Sequence, residues 1–274
     1  MSDLWNNLLS CLDLSPVSER LSEEPAGERL FRGANQKLEY HRVFGGQILG
    51  QFIESARATC PGKSVKSLHT LFPREGRAEE PITYEVRRQH EGRTFATLSI
   101  TASQSSGIVA TAAVSMHASE DGRERQEVEP VPAPLGPEHT LAIDMIPWEI
   151  RTTDDLNDDA AAPPEFELWM QTPEVDPALA PALTAYATDL TLIGTALRPI
   201  DGVNQRGNGT AFTSAVTSHT LWFHRPFRTD QWLLLRQHSP MLAHGRTFGR
   251  GDVLTEDGAL VVSYAQEALV RFRD

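Results

Sequence analysis

Two polar residues interrupt apolar patterns in the second half of the chain, and both are of types that can hold a water molecule. A helix is predicted near residues 177–197, and Asp189 lies on its apolar ridge, four residues before Ile193. Gln266 interrupts the apolar, even-numbered face of a strand predicted at 259–272. A carboxylate on an apolar face is costly unless it has a partner or a function, and a core-facing amide needs hydrogen-bond partners. Both residues therefore indicate either a structural polar contact or a small buried polar site.

The patterns of several other chemistries are missing from the sequence. There is no G-x-S-x-G motif to present a nucleophilic serine, and the nine histidines show no metal-ligand spacing such as H-E-x-x-H. The glycine-rich segment 202–209 follows no clear strand and leads into no helix, unlike a dinucleotide-binding loop. Cys11 and Cys60 form neither a disulfide framework nor a zinc set, and a buried, inert thiol is expected at Cys60. We therefore expect no metal and no cofactor.

The charge distribution bears on the partners of the protein. The formal net charge is −12, and residues 120–167 carry 14 acidic residues against three arginines. Nearly all of the excess therefore lies in one proline-rich stretch, which is typical of a linker and a solvated surface. Nucleic acid is not expected as a partner, because phosphate binding needs a basic surface. The nearly neutral, arginine-rich flanks are compatible with a small anionic ligand.

The composition and the first residues indicate an ordinary globular chain. Hydrophobic residues make up 40% and charged residues 23%, which excludes wholesale disorder. No uncharged apolar run approaches the roughly 18 to 20 residues that span a bilayer, so no membrane span is expected. The N-terminal segment carries Asp3 and Asp13 and lacks the basic region of a secretory signal. These features predict a soluble, cytoplasmic protein.

The chain contains an internal repeat. Short segments recur in the same order, with offsets of 148 to 153 residues. They are residues 69–72 and 219–222 (His-Thr-Leu and an aromatic residue), 88–90 and 236–238 (Arg-Gln-His), and 92–95 and 245–248 (Gly-Arg-Thr-Phe). Ordered matches at nearly one offset predict a duplicated unit, with the acidic stretch between its two copies.

Both copies show a similar order of predicted elements. The first copy has a helix near 44–60 and then strands at 65–74, 82–89, 93–103 and 108–117. The second has a short strand at 167–172, the helix at 177–197, and strands at 210–224, 231–238, 246–254 and 259–272. One helix wrapped by an antiparallel sheet, twice, predicts an α+β architecture. The predicted domains are an N-terminal repeat at 1–118, an acidic, proline-rich linker at 119–145 and a C-terminal repeat at 146–274.

Several segments resemble the type II acyl-CoA thioesterase family, the double-hotdog enzymes related to bacterial thioesterase II. The resembling segments are Leu30–Gly33, Arg42–Gln47, Tyr186–Leu190, Leu221–Phe227 and Gln266-Glu267. The run Trp-Phe-His-Arg-Pro-Phe is the most specific of these, and the resemblance extends from about residue 8 to the C-terminus. It implies a double hotdog, α+β with two helix-wrapped antiparallel sheets, which agrees with the repeat found independently.

The resemblance assigns roles to the two unusual polar residues. Members of this family hold the attacking water with an Asp, a Gln and a Ser or Thr hydroxyl, and the first two positions fall on Asp189 and Gln266. This implies direct hydrolysis by an activated water, with Asp189 as general base and Gln266 orienting the water, and with no metal and no covalent acyl-enzyme. Backbone N–H groups around Gly45 and Gly46 are a candidate for stabilising the oxyanion.

The hydroxyl position departs from the family pattern. Counted back from Trp222 without a gap, it falls on Val216. Thr217 is adjacent, although it points to the other face of a regular strand unless a bulge rotates it inward. Ser214 or Ser218, on the same face as Val216, are alternatives, and a weakened or lost activity is another. Thr217 is taken as the third predicted catalytic residue.

The expected function is hydrolysis of fatty acyl-CoA thioesters to free fatty acid and CoA. The alternative is a catalytically weak or silent acyl-CoA-binding protein of the same fold, which the valine at position 216 motivates. A hotdog-fold hydratase ranks last, because it needs an Asp/His pair on one helix and Asp189 has no histidine near it in the sequence. The expected partner is acyl-CoA, and a homo-oligomer is expected because hotdog proteins usually assemble.

Overall fold

The structure is a computed structural model that describes residues 3–17, 28–40 and 42–273. Residues 1 and 274, the outer bounds of the predicted domains, lie outside these ranges. No helix in the described part of the chain is both long and apolar enough to cross a bilayer.

The chain divides into two units, and each is built from two separate segments of the sequence. The first unit runs up to Glu124 and also contains Ala178–Tyr186. The second unit contains Arg125–Pro177 and the chain from Ala187 onward. A stretch of nine residues from the second half of the sequence therefore packs with the first unit.

The first unit is an antiparallel sheet with one long helix. Helices α1 (Asp3–Leu12) and α2 (Gly45–Thr59) accompany strands β1 (Ser15–Pro16), β2 (Glu28–Gly33), β3 (Ser64–Leu71), β4 (Ile82–Glu91), β5 (Phe95–Gln104) and β6 (Gly107–His117). Within this unit the strand order is β1-β2-β4-β5-β6-β3. Helix α2 buries its apolar side chains, as an amphipathic helix does. They are Ile48, Leu49, Phe52, Ile53 and Ala56.

The second unit repeats this sheet. Its strands are β7 (Glu149–Arg151), β8 (Glu165–Gln171), β9 (Phe212–Phe223), β10 (Leu233–Ala243), β11 (Arg246–Thr255) and β12 (Leu260–Phe272), in the order β9-β12-β11-β10-β8-β7. Helices α3 (Ala180–Thr188) and α4 (Leu192–Leu197) precede β9, and α3 crosses the boundary between the units at Tyr186. All pairings within this sheet are antiparallel.

The repeat extends to the irregularities of the two sheets. Strand β3 has an extra residue, Lys66, that no residue of β6 faces. Strand β9 has the same irregularity at Thr217 against β12. A one-residue bulge at corresponding places is a specific structural feature, and it matches the two copies strand for strand.

The single helix predicted at 177–197 is two helices. A short 3-10 turn at Pro177–Leu179 leads into α3, which ends at Thr188, and α4 begins at Leu192. The connection contains Asp189 and Thr191, which are weak helix formers because short polar and β-branched side chains compete with or crowd the helical backbone. The break removes Asp189 from the helical ridge on which the sequence pattern places it.

The acidic, proline-rich segment partly docks on the second unit. Val128, Val131 and Leu135 pack against a buried cluster formed by Trp169, Leu234 and Leu254. The guanidinium of Arg236 donates hydrogen bonds to two backbone carbonyls of the same segment, those of Glu129 and Pro130, at 3.2 Å each. These apolar side chains and carbonyls hold the segment against the sheet, while its carboxylates remain in solvent.

Gln47, the third residue of α2, holds the loop that precedes this helix. Its side-chain carbonyl accepts a hydrogen bond from the backbone N–H of Gln36 at 2.8 Å, and its amide group donates to Oδ1 of Asn35 at 2.9 Å. The amide of Gln51, one turn later, donates to the carbonyl of Ala34 at 2.9 Å. Both glutamines are almost fully buried, so these bonds satisfy groups that water cannot reach.

Two glycines let α2 pass close to α3 within the first unit. A Cβ atom at Gly46 would lie 2.5 Å from the backbone oxygen of Tyr186, and one at Gly50 would lie 3.2 Å from that of Ala182. The residues are four apart on each helix and run in opposite directions, so the helices cross antiparallel with their backbones nearly in contact. Any side chain at Gly46 would meet backbone, which cannot rotate away.

We predict that Gly46→Ala lowers the free energy of unfolding by about 1 to 3 kcal/mol, the usual cost of forcing extra volume into a packed contact. Urea denaturation of the purified protein measures this change. Gly62→Ala is the matched control, because nothing lies within 4 Å of a Cβ atom at that turn. Equal stabilities of the two variants would contradict the close approach of the helices.

Candidate active site

Asp189 lies in the break between α3 and α4, and its side chain is buried. The residue is 6% exposed. After the break, Gln237 of β10 binds the start of α4: its amide nitrogen donates to the hydroxyl of Thr191 at 2.5 Å, and its carbonyl accepts from the hydroxyl of Thr195 at 3.1 Å. These side-chain bonds tie the start of α4 to the sheet.

Gln266 and Asp189 meet at one histidine of strand β9. The Nδ1 atom of His219 lies 2.9 Å from Oε1 of Gln266 and 3.6 Å from Oδ1 of Asp189. Its other ring nitrogen, Nε2, lies 3.1 Å from the hydroxyl of Thr188, the last residue of α3. Asp189 and Gln266 stand out separately in the sequence, and the structure brings them together at His219, a residue that no sequence pattern indicates.

His219 is neutral at physiological pH. The ring is 0% exposed, and this burial lowers the pKa of His219 from 6.5 to about 4, while the hydrogen bond with Gln266 acts in the opposite direction. The ring also lies parallel to that of Tyr264, with 6.1 Å between the centroids and 9° between the planes. The cluster therefore contains a neutral imidazole in a fixed orientation beside a carboxylate.

Asp189 has no histidine near it in the sequence, but in the structure Nδ1 of His219 lies 3.6 Å from its Oδ1 atom. His219 comes from the sheet and not from the helix, so the spacing of Asp189 along the chain could not reveal it. His219 is not placed as the free acid or base that a hydratase needs, because both ring nitrogens face polar side chains and none of the ring is exposed.

The bulge in β9 changes which residues share a face. Val216 pairs with Ala268 and Ser218 pairs with Glu267, so Thr217 is the extra residue between them. Before the bulge the buried positions are even-numbered, as at Ser214, and after it they are odd-numbered, as at His219 and Leu221. Thr217 therefore shares the face of His219, as the bulge considered from the sequence would require.

The bulge also separates the alternatives to Thr217. Ser214 lies on the same face as Val216, as predicted, but Ser218 neighbours His219 directly and so lies on the opposite face. The hydroxyl of Thr217 donates a hydrogen bond to the backbone carbonyl of Glu267 at 3.0 Å, next to Gln266 in the sequence. A hydroxyl whose proton is used in this way keeps its lone pairs for accepting hydrogen bonds.

The first unit shows that this fold does not require polar residues at these positions. When the two units are matched at their bulges, Leu68 of β3 corresponds to His219, and Val114 of β6 corresponds to Gln266. Both aliphatic side chains are fully buried. The second copy thus contains buried polar residues where the first copy has ordinary core. The sequence repeat pairs His219 with His69 instead, so comparison of the two copies in sequence conceals this difference, and only the structural match at the bulges shows it.

The remaining candidate groups are the glycines at the start of α2, the two cysteines and possible metal ligands. Gly45 and Gly46 are the first residues of α2 in the first unit, and their contribution to an oxyanion site stays a prediction. Cys11 and Cys60 are free and buried, and burial raises the pKa of Cys11 to about 11 and raises that of Cys60. Within residues 3–17, 28–40 and 42–273, no group of three His, Cys, Asp or Glu side chains is placed to hold a metal ion.

Two family models match the chain in succession. Residues 37–117 match the acyl-CoA thioesterase N-terminal domain, and residues 120–270 match the acyl-CoA thioesterase C-terminal domain. Acyl-CoA thioesterase 2 of Haemophilus influenzae is 30% identical over 302 aligned positions, covering 100% of both chains. Human acyl-coenzyme A thioesterase 8 is 28% identical, covering 94% of this chain and 89% of the human protein.

Solved structures agree in fold. The crystal structure of an acyl-CoA thioesterase II from Mycobacterium marinum is 30% identical, covers 97% of this chain and 99% of its own, and superimposes with a TM-score of 0.78. A hot-dog-fold protein from Alicyclobacillus acidocaldarius, 15% identical with a TM-score of 0.73, supports the fold alone. The predicted α+β double hotdog and the predicted family resemblance are both confirmed. This chain belongs to the acyl-CoA thioesterase family and carries both of its domains, one after the other.

Proposed function

We propose that the protein hydrolyses fatty acyl-CoA thioesters to free fatty acid and CoA, with a water molecule activated by Asp189, Gln266 and Thr217. The observation that carries this proposal is the buried cluster of Asp189, His219 and Gln266, because the first copy of the same fold has aliphatic core in place of His219 and Gln266. Burying an imidazole and an amide where leucine and valine also fit, beside a buried carboxyl group, is costly, which favours a function over a structural role.

Hydrogen bonding assigns a separate task to each group. Oε1 of Gln266 faces His219. The Nε2 group of Gln266 is therefore left to donate a hydrogen bond to the oxygen of the water. The hydroxyl of Thr217 donates its hydrogen bond to the backbone carbonyl of Glu267, so its oxygen can accept a hydrogen bond from the water. The Asp189 carboxylate accepts the other water proton. With both protons and one lone pair of the water engaged, its second lone pair is left to attack.

The reaction needs one base and no covalent intermediate. Asp189 takes a proton as the water oxygen bonds to the thioester carbonyl carbon, which forms a tetrahedral intermediate. Collapse of the intermediate breaks the C–S bond and releases the fatty acid, and the CoA thiolate takes up the proton that Asp189 held. Neutral His219 adds no positive charge beside Asp189 and so does not weaken the carboxylate as a base.

The proposed substrate agrees with the charge distribution and with the names of the relatives. The Haemophilus and human proteins are named as acyl-CoA thioesterases. The arginine-rich flanks of the chain supply positive charge for the phosphates of CoA, although the net charge is −12. Homo-oligomeric assembly and a cytoplasmic location remain predictions. Thiol release from a panel of short to long acyl-CoAs by the purified protein is the direct test of the activity.

We predict that Asp189→Asn lowers kcat by about 10²- to 10⁴-fold, because a general base contributes on that order and the amide cannot accept the proton. The affinity for acyl-CoA, measured by calorimetry, should change little, since the two side chains have nearly the same shape. Asp201→Asn, at an exposed turn of the second unit, is the control and should leave kcat unchanged. Full activity of the Asp189 variant would refute the mechanism.

Thr217→Val keeps the shape of the side chain and removes its hydroxyl. We predict a fall in kcat of about 10-fold, equivalent to about 1.4 kcal/mol of lost transition-state stabilisation, and recovery in Thr217→Ser. On this proposal Val216→Thr should have no effect, because Thr217 already supplies the hydroxyl. Thr220→Val, on the other face of the same strand, is the control.

The opposite results for these two variants would assign the hydroxyl role to position 216. Unchanged turnover in Thr217→Val together with a gain in Val216→Thr would restore the ungapped alignment. Acyl-CoA binding without turnover by the wild-type protein would favour the alternative function, a silent binding protein.

A further inference from the structure

We propose that His219 is a positioning residue that determines which end of the Gln266 carboxamide faces the attacking water. The inference rests on the proposed function and adds a residue to it. It concerns the orientation of one amide group. The shape of the surrounding core cannot determine that orientation, whereas a hydrogen bond can.

The two ends of a carboxamide are nearly identical in size. Packing alone therefore leaves Gln266 with two orientations, one presenting its NH₂ group to the water and one presenting its carbonyl oxygen. The two are chemically opposite, because the first donates a hydrogen bond to the water oxygen and the second competes with Asp189 for a water proton. The orientation with the NH₂ group outward is the productive one.

His219 supplies the group that distinguishes the two ends. Its Nδ1 atom is 2.9 Å from Oε1 of Gln266 and 3.6 Å from Oδ1 of Asp189, so two acceptor oxygens lie on the same side of the ring. A proton on Nδ1 satisfies this arrangement, whereas a lone pair there would face two oxygens. On the other side, Nε2 is then free to accept the hydroxyl hydrogen of Thr188 at 3.1 Å.

The consequence for Gln266 is visible in its remaining hydrogen-bonding capacity. Its Oε1 atom is engaged by His219, while its buried Nε2 atom has no hydrogen-bond partner among the residues that the structure describes. A buried amide nitrogen without a partner is costly in a folded protein unless a ligand or water completes it. The free donor is the one that the proposed mechanism uses.

A neutral imidazole suits this task better than a permanent cation. An arginine or lysine could also donate to Oε1 of Gln266, but its charge beside Asp189 would lower the basicity of the carboxylate. Burial holds the pKa of His219 at about 4, so the ring donates without a charge at neutral pH. The parallel ring of Tyr264 on one side of the imidazole keeps its plane fixed.

The test compares two substitutions of His219. Leucine occupies the corresponding position of the first unit, as Leu68, so His219→Leu introduces a residue that this strand position accepts. We expect kcat to fall on the order of 10- to 100-fold, as when a reacting group is misoriented, with KM for acyl-CoA nearly unchanged. His219→Asn places an amide nitrogen near the position of Nδ1 and should regain most of the lost kcat.

A double-mutant cycle shows whether His219 acts through Gln266. Gln266→Met removes the amide and keeps an apolar side chain of similar length. If His219 only orients that amide, His219→Leu should have almost no further effect in the Gln266→Met background. Independent, multiplicative losses in the double variant would refute the inference. His69→Leu, at the sequence counterpart of His219 in the first repeat, is the exposed control and should retain full activity.

The tautomer of His219 can be read without any catalysis. Two-dimensional ¹H–¹⁵N spectra of histidine-labelled protein at pH 7 should show the His219 ring neutral and protonated at Nδ1, with His219→Leu identifying its signals. Protonation at Nε2 alone would overturn the inference whether or not the protein hydrolyses acyl-CoA. If the ring is protonated at Nδ1 but the protein releases no thiol, the amide orientation is established and the proposed function is rejected.

Discussion

The buried Asp189 carboxylate is the constraint around which the second unit is organised. A carboxyl group in an apolar core is costly unless polar groups surround it, so the polar residues near it are needed together. The break between α3 and α4 places Asp189 beside His219 of the sheet, and Gln237 ties the start of α4 to the sheet through Thr191 and Thr195. His219 then joins the carboxylate to Gln266. Removal of any one member would leave another buried group unsatisfied.

The two units show how one scaffold accepts two kinds of interior. Both have the same strand order and the same bulge in corresponding strands, at Lys66 and Thr217. Beside the bulge, the first unit buries Leu68 and Val114, whose packing supports the sheet and nothing more. The second unit has His219 and Gln266 in their place, at the cost of apolar contacts. The fold therefore depends on the backbone pattern and on total burial, and the chemistry depends on which copy carries polar side chains.

The bulge also bears on the proposal that Thr217 supplies the hydroxyl although Val216 is the residue that the ungapped count selects. A regular strand sends neighbouring residues to opposite faces, so a hydroxyl displaced by one position would be lost. An extra residue in β9 brings two consecutive side chains toward the same face, and the hydroxyl of Thr217 is anchored on the carbonyl of Glu267. A substitution that looks inactivating in an alignment is therefore consistent with a retained hydroxyl.

The sequence by itself determined the duplication, the α+β class, the family and two members of the candidate site. These features are local or periodic: a polar residue on an apolar face stands out at Asp189 and at Gln266 without knowledge of any neighbour. Only the tertiary structure decided the helix break, the bulge and the place of His219. Each of these depends on contacts between residues distant in sequence, since β9 meets β12 about 47 positions later at His219 and Gln266. Periodicity assumes regular elements, and the candidate site lies where two of them are interrupted.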